Sequence, residues 1–305
     1  MADLAFDRDF APDHGTAVDA APGVRRVTAS NSGPFTFAGT NSYIVGHGRV
    51  AVIDPGPADM AHRDALLAAT QGETITHILV THAHHDHIDG VAALREATGA
   101  TIAGFGPQVP PRPFAEGGPS LDAGADSAFV PDITLADGAV VDGGGWRMEA
   151  IATPGHSSDH MVYALAGSGV LFSGDHVMGW STTVVAPPDG VMADYMRSLD
   201  RLMARGEDTY LPGHGGPVRN AHAFVRALRT HRRAREAAIL ARLVAGDTTI
   251  PAIVAAIYPG LDAALVPAAG LSVLAHLEDL VARGTAIADG GSPALTATFR
   301  VSSRR

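Results

Sequence analysis

The sequence predicts an α/β layered domain followed by a smaller, mostly helical tail, and three observations carry this prediction. Short apolar segments typical of strands alternate with helical segments through the first two hundred residues. Side chains that commonly bind metals recur in turns directly after those strands. After Pro217 the pattern becomes strongly helical and rich in arginine. We therefore place one domain at residues 1–218 and a second at residues 219–305.

The elements of the first domain follow from local patterns of apolar and turn-forming residues. Strands are predicted at 49–54, 76–80, 146–153, 161–165, 170–173 and 209–211, and helices at 59–70, 88–98 and 192–205. The segment 106–131 is rich in proline, glycine and aspartate and has little periodicity. It is predicted to be a long surface loop, either bordering an active site or forming a simple insertion.

The second domain is predicted to contain three helices and one arm of a hairpin. The first helix covers about 219–244. The second begins at Thr248-Thr249-Ile250-Pro251, because a threonine cap and an early proline favour a helix start. The third covers about 267–283, and the threonine and aromatic content of 296–300 suits a hairpin arm. This order predicts a winged-helix-like α+β tail.

Composition excludes several classes of protein. The 305 residues include no cysteine, so neither a disulfide framework nor a thiolate-ligated metal site is available. The net charge of −10 argues against a protein that binds nucleic acid over its whole surface. The N-terminal residues 1–7 are acidic and lack the basic-then-apolar order of a signal peptide, and we find no apolar run of membrane-spanning length. We therefore expect a cytoplasmic protein without a membrane partner.

The most informative stretch is His82-Ala83-His84-His85-Asp86-His87, which follows the apolar strand at 76–80. Neutral imidazole is the commonest ligand for zinc-like ions, and aspartate is the usual partner when cysteine is absent. His82 and His84 are two residues apart, so both rings face one side of an extended chain. Asp86 and His87 come after the chain turns towards the next helix and can therefore face a second position.

Three more ligand-type residues follow turn-forming pairs: His156 after Pro-Gly, Asp175 after Ser-Gly and His214 after Pro-Gly. With the histidine-rich stretch they make seven candidate ligands, more than one tetrahedral ion needs. The number suits two divalent ions bridged by a carboxylate and a water. Zinc is the expected metal, with iron or manganese as the alternatives for such nitrogen and oxygen ligands.

The pattern His-x-His-x-Asp-His at 82–87, followed in order by His156, Asp175 and His214, resembles the metallo-β-lactamase superfamily. The strand and turn at 52–56 also match, so the resemblance covers about 25–218. It implies an αββα sandwich with the metals at one edge. Carried over, it assigns the ligands as follows: His82, His84 and His156 to the first metal, Asp86, His87 and His214 to the second, and Asp175 to both.

A narrower resemblance joins the two domains. Residues 181–185, 187–190, 211–215 and 271–277 resemble the lactamase-like-protein-2 group, in which a winged-helix tail follows the hydrolase domain. Its members are described as hydrolases, and an RNA endonuclease and polyketide-type thioesterases are among its relatives. The resemblance thus implies a catalytic first domain and a winged-helix second domain.

The chemistry that this site predicts is hydrolysis by a metal-bridging hydroxide, since metal binding lowers the pKa of water towards about 7. An ester, thioester or related acyl group, on a small molecule or an acyl carrier, is the expected substrate. Asp86 is a catalytic candidate because it can accept a hydrogen bond from the hydroxide. His176 is a second one, as the acid for the leaving group, or else an ordinary hydrogen-bonding residue. The oligomeric state is left open.

Three alternatives stay open. A β-lactamase is disfavoured by the lack of an export signal and of a cysteine ligand. A single-strand endoribonuclease is favoured by the net charge of +5 on residues 219–305, with Arg232, Arg233 and Arg235 as phosphate contacts. We prefer these arginines as the solvated face of a helix, so nucleic acid is not the favoured partner. A non-catalytic winged-helix regulator is the third alternative.

Other polar and aromatic residues have supporting roles in this interpretation. Asp54 is expected to hold a metal-binding histidine in one tautomer. His85 and His160 are expected to orient loops. Trp180 and Met178 would either line a substrate pocket or belong to the core.

Overall fold

The computed structural model describes residues 4–107, 109 and 124–302. The strands are β1 Val18–Ala21, β2 Val24–Thr28, β3 Asn41–His47, β4 Arg49–Ile53, β5 Thr74–Leu79, β6 Thr101–Gly104, β7 Ile133–Thr134, β8 Val140–Asp142, β9 Arg147–Ala152, β10 Met161–Leu165, β11 Val170–Gly174, β12 Thr209–Pro212, β13 Val218–Arg219, β14 Ala286–Ala288 and β15 Phe299–Val301. The helices are α1 Met60–Ala69, α2 His85–Ile88, α3 Val91–Thr98, α4 Met192–Met203, α5 Ala221–Val244, α6 Ile250–Ile257 and α7 Val266–Ala282, and a 3-10 turn covers Ala263–Leu265.

Two mixed sheets form the centre of the first domain. Strands β1 to β7 lie in chain order in one sheet, antiparallel up to β4 and parallel from β4 to β7. The second sheet has the order β13-β12-β11-β10-β9-β8, with a single parallel pair, β11 with β12, among its described strands. The parallel pairs place several strand ends at one edge, where the predicted ligands follow.

Three apolar clusters give the four-layer order that the sequence predicts. The central cluster, with Tyr43, Met148 and Phe172 among its members, contains inward-facing residues of both sheets. Leu66 of α1 and Leu94 of α3 belong to the cluster on the outer face of the first sheet. Helices α4 and α5 cover the outer face of the second sheet. The αββα arrangement is therefore present.

Most predicted elements of the first domain are found, and one helix differs. The helix predicted at 88–98 is split into α2 and α3 at Gly90. A Cβ at Gly90 would lie 2.7 Å from the carbonyl oxygen of Pro55. Gly90 therefore lies close to the turn after β4, where its amide donates to the Gly56 carbonyl at 2.9 Å instead of to a carbonyl of α2. Local patterns missed β1, β2, β3 and several short strands.

The loop predicted at 106–131 lies partly outside the described residues, which resume at Gly124. Ala125 forms an isolated bridge with His84, and the Asp126 amide donates to the Ala83 carbonyl at 2.9 Å. The described end of the loop therefore runs beside the histidine-rich stretch. This contact supports the interpretation that the loop borders the site.

The second domain has the predicted three helices, and the hairpin is formed by β14 and β15. Thr249 caps α6, with Pro251 in the first turn. Helix α5 belongs to both domains: Val225 and Leu228 pack with α4, whereas Ile239 and Leu243 pack in the tail. The predicted boundary at 218/219 falls inside β13, which pairs with β12 of the first domain.

The helical arginines correct one expectation. Arg232 is buried, with a relative exposure of 4%, and its guanidinium donates to the Thr183 carbonyl. Arg235 is half-buried and donates to the Ile257 carbonyl at 3.1 Å, and only Arg233 of the three is exposed. The interpretation of all three as a solvated helix face is therefore wrong.

A second correction concerns apolar length. Within the described residues, Ala263–Ala282 is long and apolar enough to cross a membrane by length and composition, contrary to our expectation. Val273 and Leu277 of this stretch are fully buried in the tail core, and α7 also packs against α4, α5 and α6. This packing accounts for the apolar composition.

Two buried tyrosines connect the sheets beside the ligand loops. The hydroxyl of Tyr163 on β10 donates to the carbonyl of Val80 at 2.6 Å, two residues before His82. The hydroxyl of Tyr43 on β3 donates to the carbonyl of Pro212 at 2.8 Å, two residues before His214. Each bond fixes a ligand loop of one sheet to a strand of the other.

We expect Tyr163→Phe to lower the free energy of unfolding by about 1–2 kcal/mol, because the buried Val80 carbonyl loses a donor. Tyr210→Phe is the matched control: this tyrosine is also fully buried, but its hydroxyl lies 3.4 Å from the Leu202 carbonyl, too long for a strong bond. Urea denaturation measures both. Equal losses in the two variants would contradict a special role for the Tyr163 bond.

Candidate metal centre

Four loops deliver ligands to one edge of the sandwich. One follows β5, one joins β9 to β10, one follows β11 and one follows β12. Backbone bonds tie these loops together: the Met161 amide donates to the Thr81 carbonyl at 2.7 Å, and the Gly213 amide donates to the Gly174 carbonyl at 2.9 Å. All seven predicted metal ligands meet there, in three overlapping groups whose ligand atoms lie within 4.8 Å of one another.

The first group consists of His82, His84 and His156. His82 Nε2 lies 2.9 Å from His84 Nδ1, and His156 Nε2 lies 3.0 Å from the same atom. Nitrogens around one tetrahedral ion with bonds of about 2.0–2.1 Å are separated by about 3.3 Å. The three rings are thus arranged to share a cation.

The second group consists of Asp86, His87 and His214. Asp86 Oδ2 lies 3.1 Å from His214 Nε2 and 3.5 Å from His87 Nε2. Asp86 is the most exposed member, with a side-chain exposure of 18%, whereas the two histidines are almost fully buried. Its carboxylate therefore faces the solvent side of the cleft.

Asp175 lies between the two groups. Its Oδ1 is 3.6 Å from His87 Nε2, and its Oδ2 is 3.4 Å from His214 Nε2 and 3.8 Å from His156 Nε2. One carboxylate thus lies within 3.8 Å of histidines of both groups.

Two observations show that a cation fits these residues. His87 Nε2 and Asp175 Oδ1 are buried without a hydrogen-bond partner. A buried polar atom without a partner is rare in native proteins and needs an explanation such as an ion. In addition, a Cβ at Gly213 would lie 2.6 Å from both Asp175 Oδ1 and His87 Cε1. Only glycine leaves these two ligands in place.

The charge states also suit metal binding. Burial lowers the pKa of His84 to about 3, with the His156 ring as a further cause, so the imidazole is neutral. Burial likewise lowers the pKa of His82. Burial raises the pKa of Asp86, but the charges of His87 and His214 and a hydrogen bond from His214 outweigh it and lower the pKa below its usual value.

Burial lowers the pKa of His87, but the charges of Asp86, Asp175 and Asp54 outweigh it and raise the pKa to about 9, and Asp175 and Asp86 likewise raise the pKa of His214. Neutral imidazole and ionised carboxylate are the ligand forms, so these two histidines would release a proton when a cation binds.

Hydrogen bonds from outside the ligand set orient three rings. Asp54 Oδ2 accepts from His87 Nδ1 at 2.9 Å, the contact expected from the sequence. His156 Nδ1 donates to the Val184 carbonyl at 2.7 Å, and His214 Nδ1 lies 3.3 Å from the Gly39 carbonyl. Each bond leaves the Nε2 lone pair of that ring free for a metal.

Asp54 is itself held tightly. Its carboxylate accepts from the Thr81 amide at 2.8 Å and from the Thr81 hydroxyl at 2.7 Å. Its φ of +49° lies in the left-handed region, which non-glycine residues seldom adopt. The Ser42 hydroxyl donates to the Asp54 carbonyl and contacts His62 Nε2 at 2.8 Å. A strained backbone supported in this way is typical of a functional site.

His176, the candidate acid, is not among the groups that the structure brings together. It is fully buried, its ring lies 4.6 Å from that of Tyr195, and neither ring nitrogen has a partner in the described residues. Burial lowers its pKa to about 3, and the His156 charge contributes. Its ring contacts those of His160 and Tyr195, and it belongs to none of the three ligand groups.

The remaining candidates have structural roles. His160 Nε2 accepts from the Asp175 amide at 3.1 Å, so it orients that loop, whereas His85 is exposed and pairs with Asp89 at 2.8 Å. Met178 is buried in the core, and Trp180 is half-buried and stacks on Phe37 with ring centroids 4.9 Å apart.

The sequence left Asn41 open between a place near the cleft and simple packing or turn chemistry, and sequence reasoning missed Asp159 and the contacts that both residues make with the ligand loops. Asn41 Nδ2 donates to the Pro212 and Gly215 carbonyls, on both sides of His214. Asp159 Oδ2 accepts from the Ala83 amide, between His82 and His84, at 2.9 Å. Their partners are more than seventy residues away in the chain, so no local pattern could have identified them.

We expect Asp54→Asn to weaken divalent-metal binding by the group of Asp86, His87 and His214 about 10–100-fold, the usual effect of losing such a supporting carboxylate. Asparagine tolerates the left-handed backbone, but its amide would oppose the His87 Nδ1–H. Calorimetric titration with zinc and elemental analysis after dialysis measure the effect. Asp89→Asn, an exposed change in the same loop, should bind metal as the wild type does. Wild-type metal content and affinity in Asp54→Asn would refute this role.

The chain is similar to known proteins in both of its domains. Residues 35–214 match the Metallo-beta-lactamase superfamily, and residues 249–292 match the Beta-lactamase associated winged helix domain. Among solved structures, a metallo-beta-lactamase family protein from Thermus thermophilus has 25% identity, a TM-score of 0.73, and coverage of 92% of this chain and 99% of that one. A Beta-lactamase domain protein from Burkholderia ambifaria, at 23% identity, has the same fold, with a TM-score of 0.77 and 96% coverage of each chain.

Curated relatives include a Beta-lactamase-like protein 2 homolog from Drosophila melanogaster, 32% identical over 86% of this chain and 91% of that protein. An Atrochrysone carboxyl ACP thioesterase from Aspergillus fumigatus is 31% identical over 73% of this chain, and a lactamase-like protein from Pestalotiopsis microspora is 32% identical over 66%. The matches span 65% and 57% of these two longer relatives. With its winged-helix tail and its histidine and aspartate cluster, the chain belongs to the metallo-β-lactamase superfamily and is a hydrolase of that superfamily.

Proposed function

We propose that the chain is a dinuclear, zinc-dependent thioesterase that acts on acyl groups carried by a thiol. The observation that carries the dinuclear part is the position of Asp175, whose two oxygens face histidines of both ligand groups. The absence of cysteine and the mixture of imidazole and carboxylate suit zinc, with iron or manganese as the alternatives. Cytoplasmic residence stays a prediction.

The first group of His82, His84 and His156 would hold one ion, the group of Asp86, His87 and His214 the other, and Asp175 both. When bound, two such cations supply Lewis acidity and a water of lowered pKa as the nucleophile. The protein's part is to hold the imidazoles and carboxylates in fixed orientations, with His87 and His214 giving up a proton when they become ligands. Asp86 is the partly exposed ligand, so its carboxylate is placed to accept a proton or hydrogen bond from the attacking water.

The leaving group decides between the acyl substrates. His176 is buried, with its pKa lowered to about 3 by burial, so it is neutral and cannot protonate a leaving group from the cleft. A thiol has a pKa of about 8.5, so a thiolate leaves near neutral pH without an acid. An alcohol or an amine needs protonation far more. The position of His176 therefore supports a thioester over an ester or a lactam.

The similarity to an ACP thioesterase supports the same substrate class. The endoribonuclease alternative loses support, because Arg232 is buried and donates to the Thr183 carbonyl, so the three arginines do not form the exposed phosphate-binding face that it requires. Solved metallo-beta-lactamases that resemble this chain are 23% and 18% identical to it, so they share its fold but do not support a β-lactamase activity. The intact ligand set argues against a purely regulatory protein.

We expect His84→Ala to lower kcat/KM for an acyl thioester more than about a hundredfold, because removal of a ligand exceeds the effect of removing a supporting residue. His85→Ala is the matched control, since this neighbouring histidine is exposed and pairs with Asp89 outside the ligand groups. The measurement is thiol release from the zinc-loaded protein, with elemental analysis of each variant.

The same zinc-loaded protein should be tested on an acyl thioester, a lactone, nitrocefin and a short single-stranded RNA. We expect the highest kcat/KM with the thioester. Faster cleavage of nitrocefin or of RNA, lost in His84→Ala and kept in His85→Ala, would refute the thioesterase assignment while retaining the metal site. Full thioesterase activity in His84→Ala would refute the metal mechanism itself.

A further inference from the structure

The tail contains a cavity that the hydrolytic site does not use. It has a volume of about 190 Å³ and is lined by His231, Ala234 and Arg235 of α5. These residues are three and four positions apart, so they lie on one face of the helix. Liquid water occupies about 30 Å³ per molecule, so the cavity has room for a small polyatomic ion and its hydration.

The positive charge around this cavity is not neutralised. Neither Arg232 nor Arg235 forms an ion pair with a carboxylate in the described ranges; they donate to the Thr183 and Ile257 carbonyls instead. The Arg235 guanidinium also lies 4.1 Å over the ring of Tyr258. These contacts fix the orientation of both guanidinium groups and leave their charges without a counterion.

Arg283, on the neighbouring helix end, shows the contrast. It lies 2.6 Å from Glu236 and 2.9 Å from Asp279, so its charge is compensated. The carboxylate of Glu236, one residue after Arg235, is thus used by another arginine. Within the described residues, Arg232 and Arg235 thus keep their charges uncompensated, as do the exposed Arg226 and Arg233 of the same helix.

A buried histidine provides a second, independent observation. His276 on α7 has a relative exposure of 1%, and both of its ring nitrogens lack a partner in the described residues. The charges that act on it are positive, with Arg232 and Arg235 first among them, followed by His231. A buried ring with two unpaired nitrogens in a field of positive charge is an environment that an anion would complete.

Hydrogen bonds connect helix α5 with the metal centre. Arg232, adjacent to His231, donates to the Thr183 carbonyl, and the Thr183 hydroxyl donates to the Asp175 carbonyl at 2.8 Å. One threonine therefore separates the arginine from the backbone of the bridging carboxylate.

We propose that this cavity is a phosphate-binding site, and that the phosphate belongs to the pantetheine arm that carries the acyl thioester. Guanidinium groups with fixed orientation are the side chains best suited to phosphate. The phosphate site stands on the cavity, the arginines and His276. The assignment to a carrier arm rests on the proposed function.

Two variants test the site by different physics. Arg235→Gln removes a charge, and Ala234→Met fills the cavity from an exposed position on the helix without changing charge. Arg233→Gln is the matched control, because it removes the same charge from an exposed residue of the same helix. Thermal melts of each variant show whether the fold is kept, and Ala234→Met keeps the test valid if Arg235→Gln is destabilised.

Binding of inorganic phosphate and of S-methyl coenzyme A to the zinc-loaded protein is measured by calorimetry. We expect both ligands to bind about tenfold more weakly or worse to Arg235→Gln and to Ala234→Met, as the loss of a charge-assisted bond predicts. Arg233→Gln should change either affinity less than about twofold. Phosphate bound at the metal centre contributes equally in all variants and does not mimic this difference.

A turnover measurement tests the carrier arm. Acyl coenzyme A should have a higher kcat/KM than the same acyl group on N-acetylcysteamine, which carries no phosphate, and both cavity variants should remove this advantage. Unchanged phosphate affinity in both variants would overturn the site. If the variants weaken phosphate binding but leave coenzyme A affinity unchanged, the assignment of the phosphate to a carrier arm is overturned. Weakened binding of single-stranded RNA in its place would overturn the same assignment. A variant-sensitive phosphate site in a protein without thioesterase activity would uphold the site and refute the proposed function.

Discussion

The constraint on which the rest of the structure depends is the crowding of seven histidine and aspartate side chains, all buried except the half-buried Asp86, in one cleft. The His82 ring centroid lies 4.2 Å from that of His87 and 4.5 Å from that of His84. Such a cluster leaves polar atoms without partners, and each unpaired buried atom costs about 1–3 kcal/mol. A cation would offset this cost. Without a cation, apolar packing and the surrounding hydrogen bonds must hold the rings in place.

The two sheets supply those bonds reciprocally. The Tyr163 hydroxyl and the Met161 amide, from the second sheet, bind the segment that precedes His82. The Asn41 amide and the Tyr43 hydroxyl, from the first sheet, bind the Pro212 carbonyl before His214. Relative movement of the sheets would therefore shift the loops that carry His82 and His214. Sheet packing and metal geometry form one mechanical unit, which explains why buried polar side chains concentrate at this edge of an otherwise apolar core.

The features that could be predicted from the sequence are those that depend on the spacing of neighbouring residues. The histidine-rich stretch, the strand-end turns and the cap of α6 are each contained in a few residues. The structure brings the residues of the stretch and of the turns together, and Thr249 caps α6 as predicted. The break at Gly90 depends on a carbonyl of Pro55, thirty-five residues earlier in the chain. The burial of Arg232 depends on Thr183 and Tyr195, which only the folded chain places beside α5. Properties that arise from such distant contacts have no local pattern.

Helix α5 joins the tail to the first domain, because it packs in the cores of both. Its first half packs with Tyr195 and Leu199 of α4, and its second half packs in the tail core. Tyr195 also packs against Gly155, where a Cβ would lie 2.3 Å from the Tyr195 Cα, and its hydroxyl donates to the His176 carbonyl at 3.1 Å. The residues before His156 and after Asp175 therefore rest on a helix that is itself clamped by the tail. Displacement of the tail would move ligands without any contact to metal, so the second domain is part of what defines the cleft.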